Sequence, residues 1–313
     1  MTAFFLVIIC LSFTALVYYV LFLYIFRRSD GKSLSRAFRK GSKWLPYKKR
    51  ITDGMNWPLT HDCEEIVINS SNDGTELHAR FFKNNQPKVM LLFHGYRSAG
   101  EFDFSCVLDE YYKMGFNILL VEQRAHNRSR GRYITFGVKE RFDCRDWVEC
   151  MNKKFSNKYD LFLGGLSMGC TTVLMALGTD LPKNVKGVVA DCGFTSPREI
   201  IKAVAEKRHI PTVLLLKPID IYCRLFGHFG IDDYSAVTAL SNNNIPVLFI
   251  HGDADTFVPC SMGIANFNAC AAPKKLLIIK GADHGQSYLL EEKRVLNTVR
   301  RFLSDPQNIE NIK

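Results

Sequence analysis

The stretch YDLFLGGLSMGCTTVLMAL, residues 159–177, decides the fold because it holds an apolar run, a tight turn and a helical pattern in succession. The run at 159–163 is typical of a strand that is buried on both faces. The turn Gly165-Leu166-Ser167-Met168-Gly169 matches the pattern G-x-S-x-G. Small residues two positions before and after the serine allow a strained turn that lifts its hydroxyl clear of the sheet. We therefore predict that Ser167 is a nucleophile, and not merely a serine that caps a helix.

Other short apolar runs lie on both sides of this turn and alternate with helical patterns. Two of them flank Ser71-Asn72-Asp73-Gly74, a turn-forming sequence that predicts an antiparallel hairpin. The alternation of the remaining runs with helices predicts an α/β fold, with a mostly parallel eight-stranded sheet and helices on both faces. The runs besides 159–163 are residues 65–70, 76–82, 88–93, 117–121, 185–190, 246–250 and 275–279.

One connection is too long for a simple crossover. Some 55 residues, rich in Leu, Ile and Phe, separate the runs 185–190 and 246–250, whereas a crossover needs about a dozen. We predict a helical cap over about 197–240, inserted into a domain that spans 61–304, with residues 305–313 as a C-terminal tail. Apolar side chains of the cap either belong to its core or line an acyl pocket. The pocket alternative predicts a preference for short-to-medium acyl chains over acetate.

A nucleophilic serine needs a histidine base and an orienting acid, which follow the serine along the chain and lie just past strand ends. The run 246–250 is followed by His251-Gly252-Asp253-Ala254-Asp255, and the run 275–279 by Lys280-Gly281-Ala282-Asp283-His284. His284 is therefore the predicted base. Three carboxylates compete for the role of the acid: Asp253, Asp255 and Asp283.

These motifs resemble those of the α/β-hydrolase superfamily, and specifically of its bacterial serine-aminopeptidase-like, esterase and monoacylglycerol-lipase branch. The resemblance implies a catalytic triad of Ser167, Asp255 and His284, because the family pattern H-G-x-x-D-x-x-V-P places the acid at Asp255. It leaves loop-stabilising roles to Asp253 and Asp283. The matching stretches are residues 93–96, 123–126, 165–169, 251–259 and 281–285.

The resemblance also implies an oxyanion hole, formed by the backbone N–H groups of Tyr96 and Met168. It assigns structural roles to His94 and His251. The chain departs from the family pattern R-G-H-G-x-S at Arg124-Ala125-His126-Asn127-Arg128-Ser129, where both glycines are replaced. We expect a changed loop there, so the family is a better guide to the type of reaction than to the substrate class.

The function that the resemblance implies is hydrolysis of a small carboxylic ester through an acyl-enzyme. The alternatives on the same fold are a peptidase or amidase and a thioesterase or acyltransferase. An inactive membrane-tethered binding protein on a hydrolase scaffold is an alternative of another class. Because the sequence has no H-E-x-x-H, Walker or G-x-G-x-x-G motif, we expect neither a metal nor another cofactor.

The residues Phe4–Phe26 form an apolar stretch without charge, Gly or Pro. Its 23 residues make a helix of roughly 35 Å, enough for a hydrocarbon core of about 30 Å. No basic residue precedes the stretch and no small-x-small cleavage site follows it. We therefore expect a retained single-pass membrane helix, and a cleaved signal peptide is the alternative.

Residues 27–50 carry ten Lys or Arg against one acid, a net +9 of the formal +10 of the chain. This basic block predicts a linker over 27–60 that contacts anionic lipid, and a catalytic domain in the cytoplasm. Because the remaining sequence is nearly neutral, we expect no nucleic-acid partner. The ten cysteines show no C-x-x-C pair and fit a reducing compartment.

Overall fold

The computed structural model describes residues 2–29 and 37–311. Eight strands form a single sheet in the order β1-β2-β4-β3-β5-β6-β7-β8. β2 pairs antiparallel with β1 and with β4, and all other neighbours are parallel. The strands are β1 (Glu64–Asn69), β2 (Glu76–Phe82), β3 (Lys88–Phe93), β4 (Asn117–Glu122), β5 (Asp160–Leu166), β6 (Val185–Asp191), β7 (Val247–Gly252) and β8 (Lys274–Ile279).

Twelve α-helices accompany the sheet in the described residues. Short 3₁₀ turns lie at Leu45–Tyr47, Trp57–Leu59 and Pro306–Asn311, and a π-helical turn lies at Cys223–Gly227. The helices are α1 (Thr2–Phe26), α2 (Lys48–Met55), α3 (Gly100–Asp103), α4 (Leu108–Lys113), α5 (Glu140–Lys154), α6 (Met168–Ala176), α7 (Pro197–Lys207), α8 (Thr212–Tyr222), α9 (Ala236–Leu240), α10 (Cys260–Ala269), α11 (Ser287–Leu290) and α12 (Glu292–Ser304).

The sheet has a hydrophobic core on each face. On one face, α5, α6, α9 and α10 pack around side chains such as Trp147, which is fully buried. On the other face, α3, α4, α11 and α12 pack around Tyr111 and Phe302. β4 is buried along its whole length, as expected for a strand covered on both sides. The predicted α/β-hydrolase fold with an eight-stranded, mostly parallel sheet is confirmed.

The long connection between β6 and β7 contains a helical cap. α7, α8 and the π-helical turn contribute to a third apolar cluster, the cap cluster, with Ile219 and Cys223 fully buried in it. α9, in contrast, packs against α6 through side chains of the main core. The part of the insertion that lies over the site therefore ends before α9, and is shorter than the expected 197–240.

Residues 37–60 are folded against the domain, although the sequence predicts a linker there. Ile51 of α2 and Trp57 are buried, and their apolar surface explains why this segment packs instead of remaining solvated. Two of the ten basic residues of the block, Lys32 and Arg36, lie outside the described residues. Of the expected tail, Ile309 is buried, and residues 312–313 lie outside the described part.

Among the described residues, one helix is long and apolar enough to cross a membrane, namely Phe4–Phe26 within α1. A signal sequence would meet the same criterion. Residues 4–17 of α1 are exposed, whereas Phe22 and Phe26 near its end are fully buried against the cap cluster. α1 therefore has an exposed N-terminal part and a C-terminal part that is packed on the domain.

Candidate active site

Ser167 occupies the sharp turn between β5 and α6. Its φ of 56° and ψ of −117° place a non-glycine residue in a strained backbone conformation. The turn needs glycine beside it, because a Cβ on Gly169 would lie 1.8 Å from the carbonyl oxygen of Phe93, and one on Gly165 would lie 2.4 Å from that of Gly169. The close approach of these backbones explains the G-x-S-x-G pattern and raises the serine above the strand ends.

The side chains of Ser167, His284 and Asp255 form one hydrogen-bonded chain. The Ser167 Oγ lies 2.9 Å from His284 Nε2, and His284 Nδ1 lies 2.7 Å from Asp255 Oδ2. The ionised Asp255 carboxylate can only accept a hydrogen bond, so His284 Nδ1 carries the proton that it donates. Nε2 is therefore free to accept the proton of the serine hydroxyl. The structure thus brings together the three residues that the sequence predicts, with the geometry of an activated serine.

Asp255 is held in place by several donors besides His284. Its Oδ1 accepts the backbone N–H groups of Phe257 and Val258, both at 2.8 Å. His251 Nε2 lies 3.4 Å from Asp255 Oδ2 and 3.0 Å from the carbonyl oxygen of Val258. Burial raises the pKa of Asp255, but the hydrogen bonds from His251 and His284 outweigh it and hold the pKa well below its usual value. The carboxylate therefore stays ionised at neutral pH.

The two competing carboxylates have other contacts. Asp253 accepts the backbone N–H of Gly281 at 2.6 Å. Asp283 accepts the N–H groups of Thr256 and His284 and pairs with Lys43 at 2.9 Å. Both carboxylates therefore bind the loops that carry Asp255 and His284, which agrees with the loop-stabilising roles that the resemblance implies.

The loop after β3 passes close to Ser167. A Cβ on Gly95 would lie 3.3 Å from Ser167 Cβ, so the backbone next to Tyr96 passes close to the nucleophile. Asp103 fixes this loop by accepting the N–H of Gly95 at 2.5 Å and the hydroxyl of Ser98 at 2.6 Å. Met168 begins α6, where the N–H groups of the first turn have no intrahelical partner. Both predicted oxyanion donors therefore lie next to Ser167.

The histidines of this region support the loops. His94 donates from Nδ1 to the carbonyl oxygen of Gly95 and accepts the N–H of Gln123 at Nε2. His126 accepts the N–H of Arg97 at 3.0 Å, and burial lowers its pKa well below the usual value, so it remains a neutral acceptor.

The replaced glycines keep a glycine-like backbone. Ala125 has a φ of 59° and Asn127 a φ of 44°, both in the left-handed region. The carbonyl oxygen of Ala125 accepts the N–H of Ser29, just after α1. The Arg28 guanidinium also donates to the carbonyl oxygens of Asn127 and Ser129. The sequence departure therefore lies where the N-terminal segment joins the domain.

Two cavities meet at Ser167. The larger, of about 720 Å³, is lined by Trp44 and Lys43 of the N-terminal segment as well as by Phe102 and His284. The smaller, of about 180 Å³, lies under the cap. The sequence pattern did not predict that the N-terminal segment lines the site, although Trp44 within the basic block was one signal for it.

One group of side chains has the donor atoms of a metal site. Ligand atoms of Cys192, Asp255 and His284 lie within 4.8 Å of one another. However, Asp255 and His284 are bonded to each other, and burial raises the pKa of the Cys192 thiol well above its usual value, which disfavours a thiolate ligand. The arrangement therefore fits proton transfer better than metal binding.

The sheet order, the serine turn and the Ser-His-Asp contacts define the class of the protein as an α/β hydrolase. A family model described as the prolyl oligopeptidase family matches residues 126–307, which is more than half of the chain. The chain belongs to this family.

Its relatives are similar at a low level of identity. The uncharacterized protein YqkD of Bacillus subtilis is 26% identical over 196 residues, which cover 62% of this chain and 64% of YqkD. The match thus spans less than two thirds of that relative. The esterase Pf2001 of Pyrococcus furiosus is 21% identical, with a TM-score of 0.66 over 80% of this chain and 93% of Pf2001. Est1E of Butyrivibrio proteoclasticus, solved with ferulic acid bound, is 20% identical, with a TM-score of 0.59 over 77% of this chain and 98% of Est1E. These two likenesses establish the fold.

Proposed function

We propose that this chain is a membrane-anchored serine hydrolase that cleaves small carboxylic esters through an acyl-enzyme on Ser167. The observation that carries the proposal is the continuous hydrogen-bonded chain from Ser167 Oγ through His284 to Asp255. A serine hydroxyl is a poor nucleophile, and this chain supplies both a base at hydrogen-bond distance and a carboxylate that stabilises the protonated base.

In the acylation step, Ser167 Oγ attacks the ester carbonyl carbon while His284 Nε2 takes the hydroxyl proton. The negative charge that develops on the carbonyl oxygen is stabilised by the N–H groups of Tyr96 and Met168, each worth about 3–4 kcal/mol in comparable enzymes. His284 then gives its proton to the leaving alkoxide, and the alcohol departs. Asp255 remains ionised and stabilises the imidazolium throughout.

In the deacylation step, a water molecule replaces the alcohol. His284 takes a proton from the water, and the resulting hydroxide attacks the acyl carbon of the ester on Ser167. The same two N–H groups stabilise the second oxyanion. Collapse of this intermediate breaks the bond to Ser167 Oγ, which recovers its proton from His284, and the carboxylic acid leaves.

The apolar lining of the smaller cavity favours an ester with a hydrocarbon acyl group over a peptide. The membership in the prolyl oligopeptidase family supports amide hydrolysis as the second candidate. A comparison of p-nitrophenyl butyrate with peptide p-nitroanilides separates the two. We expect turnover of the ester that depends on Ser167, with Ser167→Ala as the control. Efficient anilide cleavage with negligible ester cleavage would instead assign a peptidase.

The packing of α1 supports its retention as a membrane anchor. Phe22 and Phe26 are fully buried against the cap cluster, so cleavage after Phe26 would remove both rings and expose the apolar surface that they cover. The neighbouring α8 exposes Val213 and Leu214 next to the exposed apolar side of α1. Such a continuous apolar surface suits lipid contact, and the basic block after α1 favours a domain on the cytoplasmic side.

A further inference from the structure

The smaller cavity has a wall that does not belong to the hydrolase domain. The cavity starts at Ser167 and extends beneath the cap, where Ile201, Val204 and Leu215 line it. Leu21, Tyr24 and Ile25 from the last turns of α1 also line it. The cavity is mostly apolar, and its charged contacts come from Arg97 and Arg208. The last turns of α1 and the nucleophile therefore line the same cavity.

The end of α1 is fixed to the loop that carries one predicted oxyanion donor. The last carbonyl groups of a helix have no intrahelical partner, and here side chains of the loop after β3 satisfy two of them. The Tyr96 hydroxyl donates to the carbonyl oxygen of Ile25 at 2.6 Å, and the Arg97 guanidinium donates to that of Tyr24 at 2.7 Å. The positive charge of Arg97 also complements the negative end of the helix dipole. These contacts fix the last turns of α1 to the loop that passes close to Ser167.

Aromatic and backbone contacts also fix the helix to the loop after β4 and to the cap. The Phe22 and Tyr133 ring centroids are 4.9 Å apart, and those of Tyr19 and Phe226 are 5.0 Å apart. The Tyr18 hydroxyl donates to the carbonyl oxygen of Leu214 at 2.7 Å. Because both ends of this contact region are bonded to the domain, the side chain of Leu21 between them has a defined position.

We propose that α1 forms part of the acyl-binding site, and that Leu21 limits the length of the acyl chain that Ser167 accepts. This inference rests on the proposed esterase function. Its ligand is the saturated aliphatic acyl group of an ester. A volume of about 180 Å³ exceeds the roughly 150 Å³ of an apolar cavity that holds benzene, so about six carbons fit. Each methylene buried in the site raises kcat/KM by up to about fourfold until the cavity is full.

The test uses the full-length protein in detergent micelles and the p-nitrophenyl esters of acetate, butyrate, hexanoate and octanoate. Leu21→Trp fills the cavity, so we expect kcat/KM for hexanoate to fall at least tenfold while that for acetate changes less than about threefold. Leu21→Ala enlarges the cavity and moves the optimum towards octanoate. Val20→Trp is the matched control, because Val20 is the adjacent residue of the same helix and its side chain is 56% exposed.

Fluorophosphonate labelling of each variant reports whether the nucleophile and the fold are intact. If Leu21→Trp does not label, Leu21→Ala decides the question by its chain-length optimum. An optimum that is the same in wild type, Leu21→Ala and Val20→Trp would overturn the inference while leaving the esterase function standing. Failure of the proposed function has a different result, since wild type would then show no Ser167-dependent turnover of any ester.

Discussion

The serine turn and the contact region between α1 and the cap are held together in different ways. Around Ser167, hydrogen bonds between partly buried polar groups and a strained backbone fix each side chain. Around Phe22, the contacts are mainly between aromatic rings, with a few hydrogen bonds to carbonyl groups. The first arrangement holds the reacting groups at hydrogen-bond distance from each other, which a reaction needs. The second specifies a volume, which is what selection between acyl chains needs.

The backbone turn at Ser167 and the contact between α1 and the cap also differ in how local their sequence signals are. The turn at Ser167 is specified within 165–169, whereas the hydrogen bond from Tyr18 to Leu214 joins residues 196 positions apart. Changes near the triad should therefore alter the rate for all esters. Changes at the end of α1 should alter the ranking of esters.

The largest effect is expected from the acid of the triad. Asp255→Asn keeps the shape of the side chain but removes the charge that fixes the His284 tautomer, so kcat should fall by about 10⁴. Asp253→Asn is the matched control, because Asp253 bonds the Gly281 N–H and does not contact His284 in the described structure. We expect its kcat to fall less than about tenfold. Steady-state kinetics with the reverse ranking would show that the acid is misassigned.

The proposed orientation of the membrane anchor can be tested by locating the catalytic domain. With ten basic residues after Phe4–Phe26 and none before it, the domain should lie in the cytoplasm and resist protease added to intact spheroplasts. Lysis should make it digestible. Digestion before lysis would contradict this orientation, and a shortened chain in the soluble fraction would indicate a cleaved signal peptide.

A smaller effect is expected from Asp191, which lies at the end of β6 beneath the triad. Burial raises the pKa of Asp191 to about 6, and its Oδ2 has no hydrogen-bond partner in the described residues. Because the folded protein favours the protonated acid, stability is lost as the pH rises from about 4 to about 6. Asp191→Asn should therefore increase the free energy of unfolding by on the order of 1–3 kcal/mol at pH 7.5 and by little at pH 4.

Thermal unfolding of wild type and Asp191→Asn at the two pH values checks this expectation. Ser287→Ala is a useful companion variant, because the Ser287 hydroxyl donates to Asp191 Oδ1 at 3.3 Å. Its loss should destabilise the ionised carboxylate further. An equal shift of the midpoint at both pH values would show that the burial of charge at Asp191 is not the cause.

The fold was predictable from the sequence because buried parallel strands are continuous apolar runs, and because the hairpin has a turn sequence of its own. Ser167 and His284 were predictable because both follow strand ends in recognisable turns. Their hydrogen bonds agree with that expectation, whereas the catalytic roles of all five predicted residues remain proposals. Choosing Asp255 over Asp253 required the family pattern, since composition and spacing did not separate the two carboxylates.

The contribution of the N-terminal segment was not predictable from local sequence. The apolar run Phe4–Phe26 satisfies the requirements of a lipid-exposed helix, and that pattern gives no sign that Leu21 and Ile25 face a cavity. Tyr18 and Tyr24 were the available signal, since their hydroxyl groups favour a polar partner at the edge of a membrane. Likewise, the basic charge of residues 37–50 obscured the burial of Ile51 just beyond them.

The central claim is that Ser167 is the nucleophile of an acyl-transfer reaction. Intact-protein and peptide mass spectrometry after treatment with a fluorophosphonate tests it most directly. We expect one adduct per chain, located on the peptide that contains Ser167, together with loss of ester turnover in proportion to labelling. Ser167→Ala should show neither the adduct nor the turnover. An adduct on another residue, or full turnover in Ser167→Ala, would contradict the account.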